Sequence, residues 1–232
     1  MIGLRDVRFA WPGATRDCVA IDALAIAAGQ TLFLHGPSGC GKSTLLSLMA
    51  GVLSAREGMV MLAGRDWAGM PGSARDAWRA DQVGYLFQQF NLLPWLSVLD
   101  NVLLGCRFSR SRAGRASERA GSPAAQARSL LQRVGIPDDA WSRAARELSV
   151  GQQQRVAAAR ALIGAPPVVI ADEPTSALDA ALRDGFMDVL LGECRAAGST
   201  LVFVSHDERL AARFDQALSL PALNRAVAEA AA

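Results

Sequence analysis

The order of apolar and polar positions divides the chain into three stretches. The first third reads as strands and turns. Leu4, Val7, Phe9 and Trp11 stand singly among charged and polar neighbours, as in a half-buried strand. Thr31 to His35 is a short apolar strand, and a glycine-rich turn follows it at once. Lys42 to Ala50 then has helical character, with Gly51 as its stop signal. Val60 to Leu62 and Val83 to Phe87 are further strand candidates. Beyond about residue 91 the pattern changes. Leu92, Leu93, Trp95, Leu96, Val98, Leu99, Val102 and Leu103 predict a helical segment. Ser109 to Ser122, rich in Ser, Arg, Ala and Gly, predicts a mobile, solvated linker. Gln126 to Val134 resumes a helical pattern.

Past Ser149 the pattern turns regular again. A helix from Gln152 to Ile163 leads into a strand at Val168 to Ala171. A helix from about Ala180 to Ala196 leads into a strand at Leu201 to Val204. There is no internal repeat. Strands alternating with helices predict an α/β class, a mostly parallel sheet covered by helices, with the middle helical stretch as an insertion.

Composition adds limits. The chain has 232 residues, 51% of them hydrophobic, which suffices for a sizeable core. Its 24 basic and 22 acidic side chains leave a formal charge of +2, so no nucleic-acid footprint is expected. Cys18, Cys40, Cys106 and Cys194 show no CxxC spacing, which points to a reducing compartment and neither a zinc site nor a disulfide framework. Met1 to Trp11 is not expected to be a signal peptide. No apolar run approaches the roughly 20 residues that span a bilayer. Any service to a membrane is therefore expected through a partner.

Residues 36–43 read GPSGCGKS, which fits GxxxxGK[ST]. Gly36, Gly39 and Gly41 let successive N–H groups turn inward around phosphate oxygens. The helix that follows offers its N-terminus to the same anion. Lys42 is expected to reach the terminal phosphates, and Ser43 to place a hydroxyl on Mg²⁺. Residues 168–173 read VVIADE, an apolar strand ending in two acids. The carboxyl end of such a strand is where an open α/β sheet holds ligands. Asp172 is placed to hold Mg²⁺ directly or through a water, and Glu173 to polarise an attacking water.

Three further motifs narrow the reading. LSVGQ at 148–152 precedes QQR and a helix, ADEPTSALD fills 171–179, and SHD fills 205–207. In this order the chain strongly resembles the ABC ATPase family from Leu4 to about Leu220. It is most similar to ATPases of the lipoprotein-release and macrolide-export type, although FQQFNLLP and DEPTSALD also occur in ATPases of amino-acid import systems. The resemblance implies a P-loop NTPase fold, with a RecA-like mostly parallel sheet, an inserted α-helical subdomain and an N-terminal antiparallel β portion. It implies one ABC ATPase domain over 1–232, with a nucleotide-binding core of 1–90 and 148–232 and a helical insertion of 91–147.

Roles carry over where residues match. The ATP site would use Trp11, Gly36, Pro37, Ser38, Gly39, Cys40, Gly41, Lys42, Ser43 and Thr44. Trp11 would stack on adenine, a core or edge-strand Trp being the plainer alternative. Gln88, rather than Gln89, matches the glutamine that touches Mg²⁺ and senses the γ-phosphate, so Ser43, Gln88 and Asp172 form the Mg²⁺ set. Glu173, His206, Gln88 and Lys42 form the catalytic set. Ser149, Val150, Gly151 and Gln152 would contact the ATP of a partner subunit, with Val150 standing where the common signature has glycine. Ser176, Ala177, Leu178 and Asp179 match the subunit-contact loop.

The implied activity is hydrolysis of ATP to ADP and phosphate by a head-to-tail pair of copies, coupled to a separate integral membrane permease. The implied location is the cytoplasmic face of the inner (plasma) membrane. Phe90, Leu92, Leu93, Pro94, Trp95 and Leu96 form either the permease groove or the insertion's own core. An import-type ATPase, or one that transmits force and transports nothing, remains the alternative, and a DNA- or ribosome-acting ATPase is disfavoured because the chain has neither a coiled coil nor a second cassette.

Overall fold

The computed structural model describes residues 1–176, 178 and 180–226. In chain order the elements are β1 (Ile2–Phe9), β2 (Val19–Ile26), β3 (Thr31–His35), α1 (Lys42–Met49), β4 (Glu57–Leu62), β5 (Arg65–Asp66) and α2 (Gly72–Gln82). Then come β6 (Val83–Leu86), α3 (Val98–Arg107), α4 (Arg110–Ala120), α5 (Pro123–Arg133), α6 (Val150–Leu162), β7 (Val168–Asp172) and α7 (Ala180–Ala197). The chain closes with β8 (Thr200–Val204), β9 (Gln216–Ser219) and α8 (Leu220–Leu223). They fall into two compact units, Met1–Arg79 with the residues from Thr200 onward, and Ala80–Ser199.

The first unit holds an antiparallel sheet in the order β2-β1-β4-β5 and a parallel set in which β3 lies between β8 and β9. In β1 the buried positions are Ile2, Leu4, Val7 and Phe9. The change from even to odd numbers is made by a register shift between Arg5 and Arg8, where Asp6 takes φ 51°. Such a bulge returns the next apolar pair to the core face. Every residue of β8, and Thr31 to Leu34 of β3, is buried, the continuous apolar run of a parallel strand covered on both faces.

The second unit pairs β6 with β7 in parallel, Val83 opposite Val168 and Leu86 opposite Ala171, and carries α3 to α7. β7 is buried throughout. Two expectations need correction here. The segment 109–122 is a capped helix, not a solvated linker. Ser109 accepts from Arg112 N at 2.9 Å, Gly121 ends the helix at φ 79°, and Arg112 and Ala116 are buried at 4% and 0% exposure. An arginine on the inner face hides this helix from any apolar periodicity. The helix expected from Leu92 starts only at Val98. Ser97 is its N-cap and accepts from Asp100 N at 3.0 Å. Before it, fully buried Asn101 bonds Leu93 N at 2.8 Å, Leu93 O at 3.0 Å and Ser97 O at 3.1 Å, holding residues 93–97 in an irregular course. Ala226 is buried, and 227–232 lie outside the described residues.

Candidate active site

In the first unit the chain leaves β3 at His35 and turns through Gly36–Gly41 before α1 begins at Lys42. Gly41 is the N-cap of α1 with φ 96° and ψ 13°, a conformation that a Cβ disfavours. Gly41 carries no side chain to cap the helix, and a helix N-terminus of this kind is suited to an anion. Lys42 Nζ donates to Gly36 O at 2.9 Å and Pro37 O at 3.0 Å. The ammonium is thus held over the turn made by its own loop. β3 and β8 run in register, Leu34 opposite Val204, and Ser205 N donates to Leu34 O at 3.2 Å. His206 therefore leaves the same end of this strand pair as the glycine-rich loop, and its side chain is exposed. Trp11 follows β1, stands 49% exposed, and meets Phe9 edge-on at 5.2 Å between centroids.

In the second unit Asp172 and Glu173 leave β7 where Gln88 leaves β6, because Leu86 is opposite Ala171 in the parallel register. Asp172 is 7% exposed and Glu173 is half-buried with φ 46°, an uncommon conformation for a residue with a Cβ. A carboxylate and an amide oxygen (Asp172 and Gln88) are hard oxygen donors. That donor chemistry fits Mg²⁺, which takes few carboxylates and shares substrate phosphates.

Ser149 is the N-cap of α6 in a capping box. Its Oγ accepts from Gln152 N at 3.3 Å, and Gln152 Oε1 accepts from Ser149 N at 3.0 Å. Val150 takes the first helical position and is 54% exposed. Arg155, one turn on, donates to Gly151 O at 3.3 Å and to Gly135 O at 3.1 Å. Ser176 is exposed and Leu178 is buried, while Ala177 and Asp179 lie outside the described residues. Three side chains with structural weight were not singled out in the sequence: Asn101, Arg112 and Asn224. Only Arg112 had a usable signal, a serine three residues ahead as a helix cap.

The ABC transporter family matches residues 21–176. The chain belongs to that family. It is 41% identical over 202 residues to the uncharacterized ABC transporter ATP-binding protein YbbA of Escherichia coli K12, covering 85% of this chain and 83% of YbbA. It is 39% identical over 218 residues to the lipoprotein-releasing system ATP-binding protein LolD of Anaeromyxobacter dehalogenans, covering 94% and 88% respectively. The dimeric post-hydrolysis structure of the ATP-binding cassette MJ0796 with ADP and Pi superposes with a TM-score of 0.84 at 31% identity, over 97% of this chain and 95% of that one. The expected α/β cassette fold is the fold observed, and the chain is the ATP-binding, ATP-hydrolysing subunit of an ABC transporter. Among the described residues no helix is long and apolar enough to cross a membrane.

Proposed function

We propose that two copies of this chain close head to tail around two ATP molecules. Each nucleotide would be held by the Gly36–Thr44 loop of one copy and by Ser149–Gln152 of the other. The observation that carries this reading is the exposed start of α6, where Ser149 and Val150 face solvent at a helix N-terminus. A serine hydroxyl that already accepts from Gln152 N keeps its own proton to donate, so Ser149 can cap its helix and bind a phosphate oxygen at once. A symmetric pair satisfies both seats with one surface.

Within each site, Lys42 supplies a point charge to the phosphates and Trp11 a face for the adenine. Backbone N–H groups of Gly36, Ser38, Gly39, Cys40 and Gly41 would cradle the phosphates, while Pro37, which has no N–H, fixes the course of the turn. Ser43, Gln88 and Asp172 would hold Mg²⁺, which when bound neutralises charge on the β- and γ-phosphate oxygens. Glu173 orients the attacking water and His206 contacts the γ-phosphate. Ser176 and Leu178 would line the contact between copies. Val150 lies beside the nucleotide of the other copy and leaves the Gly151 backbone free to approach it.

The closure would drive a separate integral membrane permease from the cytoplasmic face of the inner membrane. The lipoprotein-release type is favoured over import by the extent of the matches. The chain spans 88% of LolD but 47% of the sulfate/thiosulfate import protein CysA 2 of Chromobacterium violaceum. The macrolide export protein MacB of Rhodopseudomonas palustris matches over 94% of this chain at 36% identity, but this chain spans only 32% of MacB, so the extent of the matches favours the lipoprotein-release type specifically. The test is Glu173→Gln, which removes the base and keeps the shape. With ATP and Mg²⁺ this variant should elute as a dimer, and with ADP as a monomer. A monomer under both conditions would count against the closed pair.

A further inference from the structure

The phosphate loop is braced from behind by the segment that follows β9. A Cβ on Gly36 would lie 2.9 Å from Pro221 Cδ, so the first turn of α8 packs directly on the start of the loop. At the other end of the loop stands Asn224, fully buried. A primary amide has two N–H donors and an oxygen with two lone pairs. In Asn224 all are engaged. Nδ2 donates to Cys18 O at 2.9 Å and Cys40 O at 3.2 Å, and Oδ1 accepts from Ala20 N at 2.7 Å and Ala226 N at 3.3 Å. One amide thus joins the loop to the start of β2 and to its own segment.

The bond to Cys40 O has a directional consequence. The Cys40–Gly41 peptide is trans, so its carbonyl and its N–H point opposite ways. Holding Cys40 O on Asn224 therefore aims Gly41 N–H away from residue 224. A Cβ on Gly41 would lie 3.1 Å from Cys18 O and 3.4 Å from Asn224 Nδ2, so the peptide has little room to rotate. We propose that Asn224 is a positioning residue for the nucleotide: it presets the Cys40–Gly41 peptide so that the loop meets the phosphates without reorganising. This rests on the reading of 36–43 as the phosphate loop. Asn224 touches no reacting atom, so its effect falls on nucleotide affinity rather than on the chemical step.

The experiment compares Asn224→Ala, Asn224→Asp and Arg225→Ala in the full chain, by calorimetry with Mg-ATP and by steady-state hydrolysis. Asn224→Asp keeps the acceptor for Ala20 and Ala226 but turns a second oxygen toward the two carbonyls. It therefore carries the test even if the alanine variant fails to fold. Arg225, exposed and ion-paired to Asp22, anchors the same segment without touching the loop. Both Asn224 variants should raise KM and Kd for ATP about tenfold, with kcat within about twofold of wild type and Arg225→Ala unchanged. Folded Asn224 variants with an unaltered KM, or with a reduced kcat at unaltered KM, would overturn the assignment. Absence of ATP uptake by the wild-type chain would instead overturn the phosphate-loop reading beneath it.

Discussion

The Arg112 guanidinium of α4 donates through Nε at 2.9 Å and through a terminal nitrogen at 2.6 Å to the carbonyl of Ile163, the C-cap residue of α6. It also reaches Ala161 O at 2.9 Å and Val83 O at 3.3 Å. The last carbonyls of a helix lack intrahelical donors and carry partial negative charge, so a buried cation is well matched to them. Burial lowers the Arg112 pKa to about 10, which leaves it protonated at neutral pH. The helix that opens with the Ser149 signature is thus closed by an arginine from α4.

Replacing Arg112 with alanine strands those carbonyls in the core. Arg112→Ala should cost about 3–5 kcal/mol in urea unfolding, and Arg112→Lys should recover only part, since an ammonium cannot reproduce the planar fork. A loss under about 1 kcal/mol in the alanine variant would show that the carbonyls find water instead.

Trp95 is 66% exposed on the irregular segment that Asn101 pins, and Arg160 fixes the start of that segment by donating to Asn91 O at 2.7 Å. In the reading that a membrane permease docks on this segment, Trp95 would be a contact residue. Trp95→Glu should leave the thermal midpoint and ATP affinity unchanged and abolish co-purification with the membrane subunit. Persistent co-purification would place the permease elsewhere. A fall in the midpoint would return Trp95 to the core of its own segment.

Cys194 is fully buried on α7, and burial, with a smaller contribution from the Glu193 carboxylate, pushes its thiol up to about 12. At pH 8 only about one such thiol in ten thousand is a thiolate. Iodoacetamide should therefore modify half-buried Cys18 in the native protein and reach Cys194 only after unfolding. The same shift has a pH consequence. Above pH 9 the unfolded thiol ionises while the native one stays protonated, so the native state binds more protons and stability falls as pH rises. Cys194→Ala should flatten that decline between pH 9 and pH 10. Equal alkylation of both cysteines in the native state would contradict the buried assignment.

The motifs and the parallel strands were legible in the sequence because each depends on local chemistry. Gly36 to Ser43 fits its pattern by residue type, and the runs at Thr31–His35 and Val168–Asp172 are apolar because covered parallel strands must be. What stayed illegible depends on distant partners. Arg112 reads as a solvated charge until the carbonyls of α6 are brought to it. Asn101 reads as a helix residue, although its amide serves the chain ahead of that helix. Asn224 reads as a lone polar residue, although its partners lie 204 and 184 positions away. Polar side chains that organise backbone over such separations leave no periodic trace.

The most direct test of the account is titration of the wild-type chain and of Lys42→Ala with ATP by isothermal calorimetry, with and without Mg²⁺. The wild type should take up one ATP per chain in a magnesium-dependent manner, and Lys42→Ala should lose that uptake while keeping its thermal midpoint. Folded wild-type protein that takes up no ATP, or a Lys42→Ala variant that binds it equally well, would contradict the claim that this loop and its lysine grip the triphosphate.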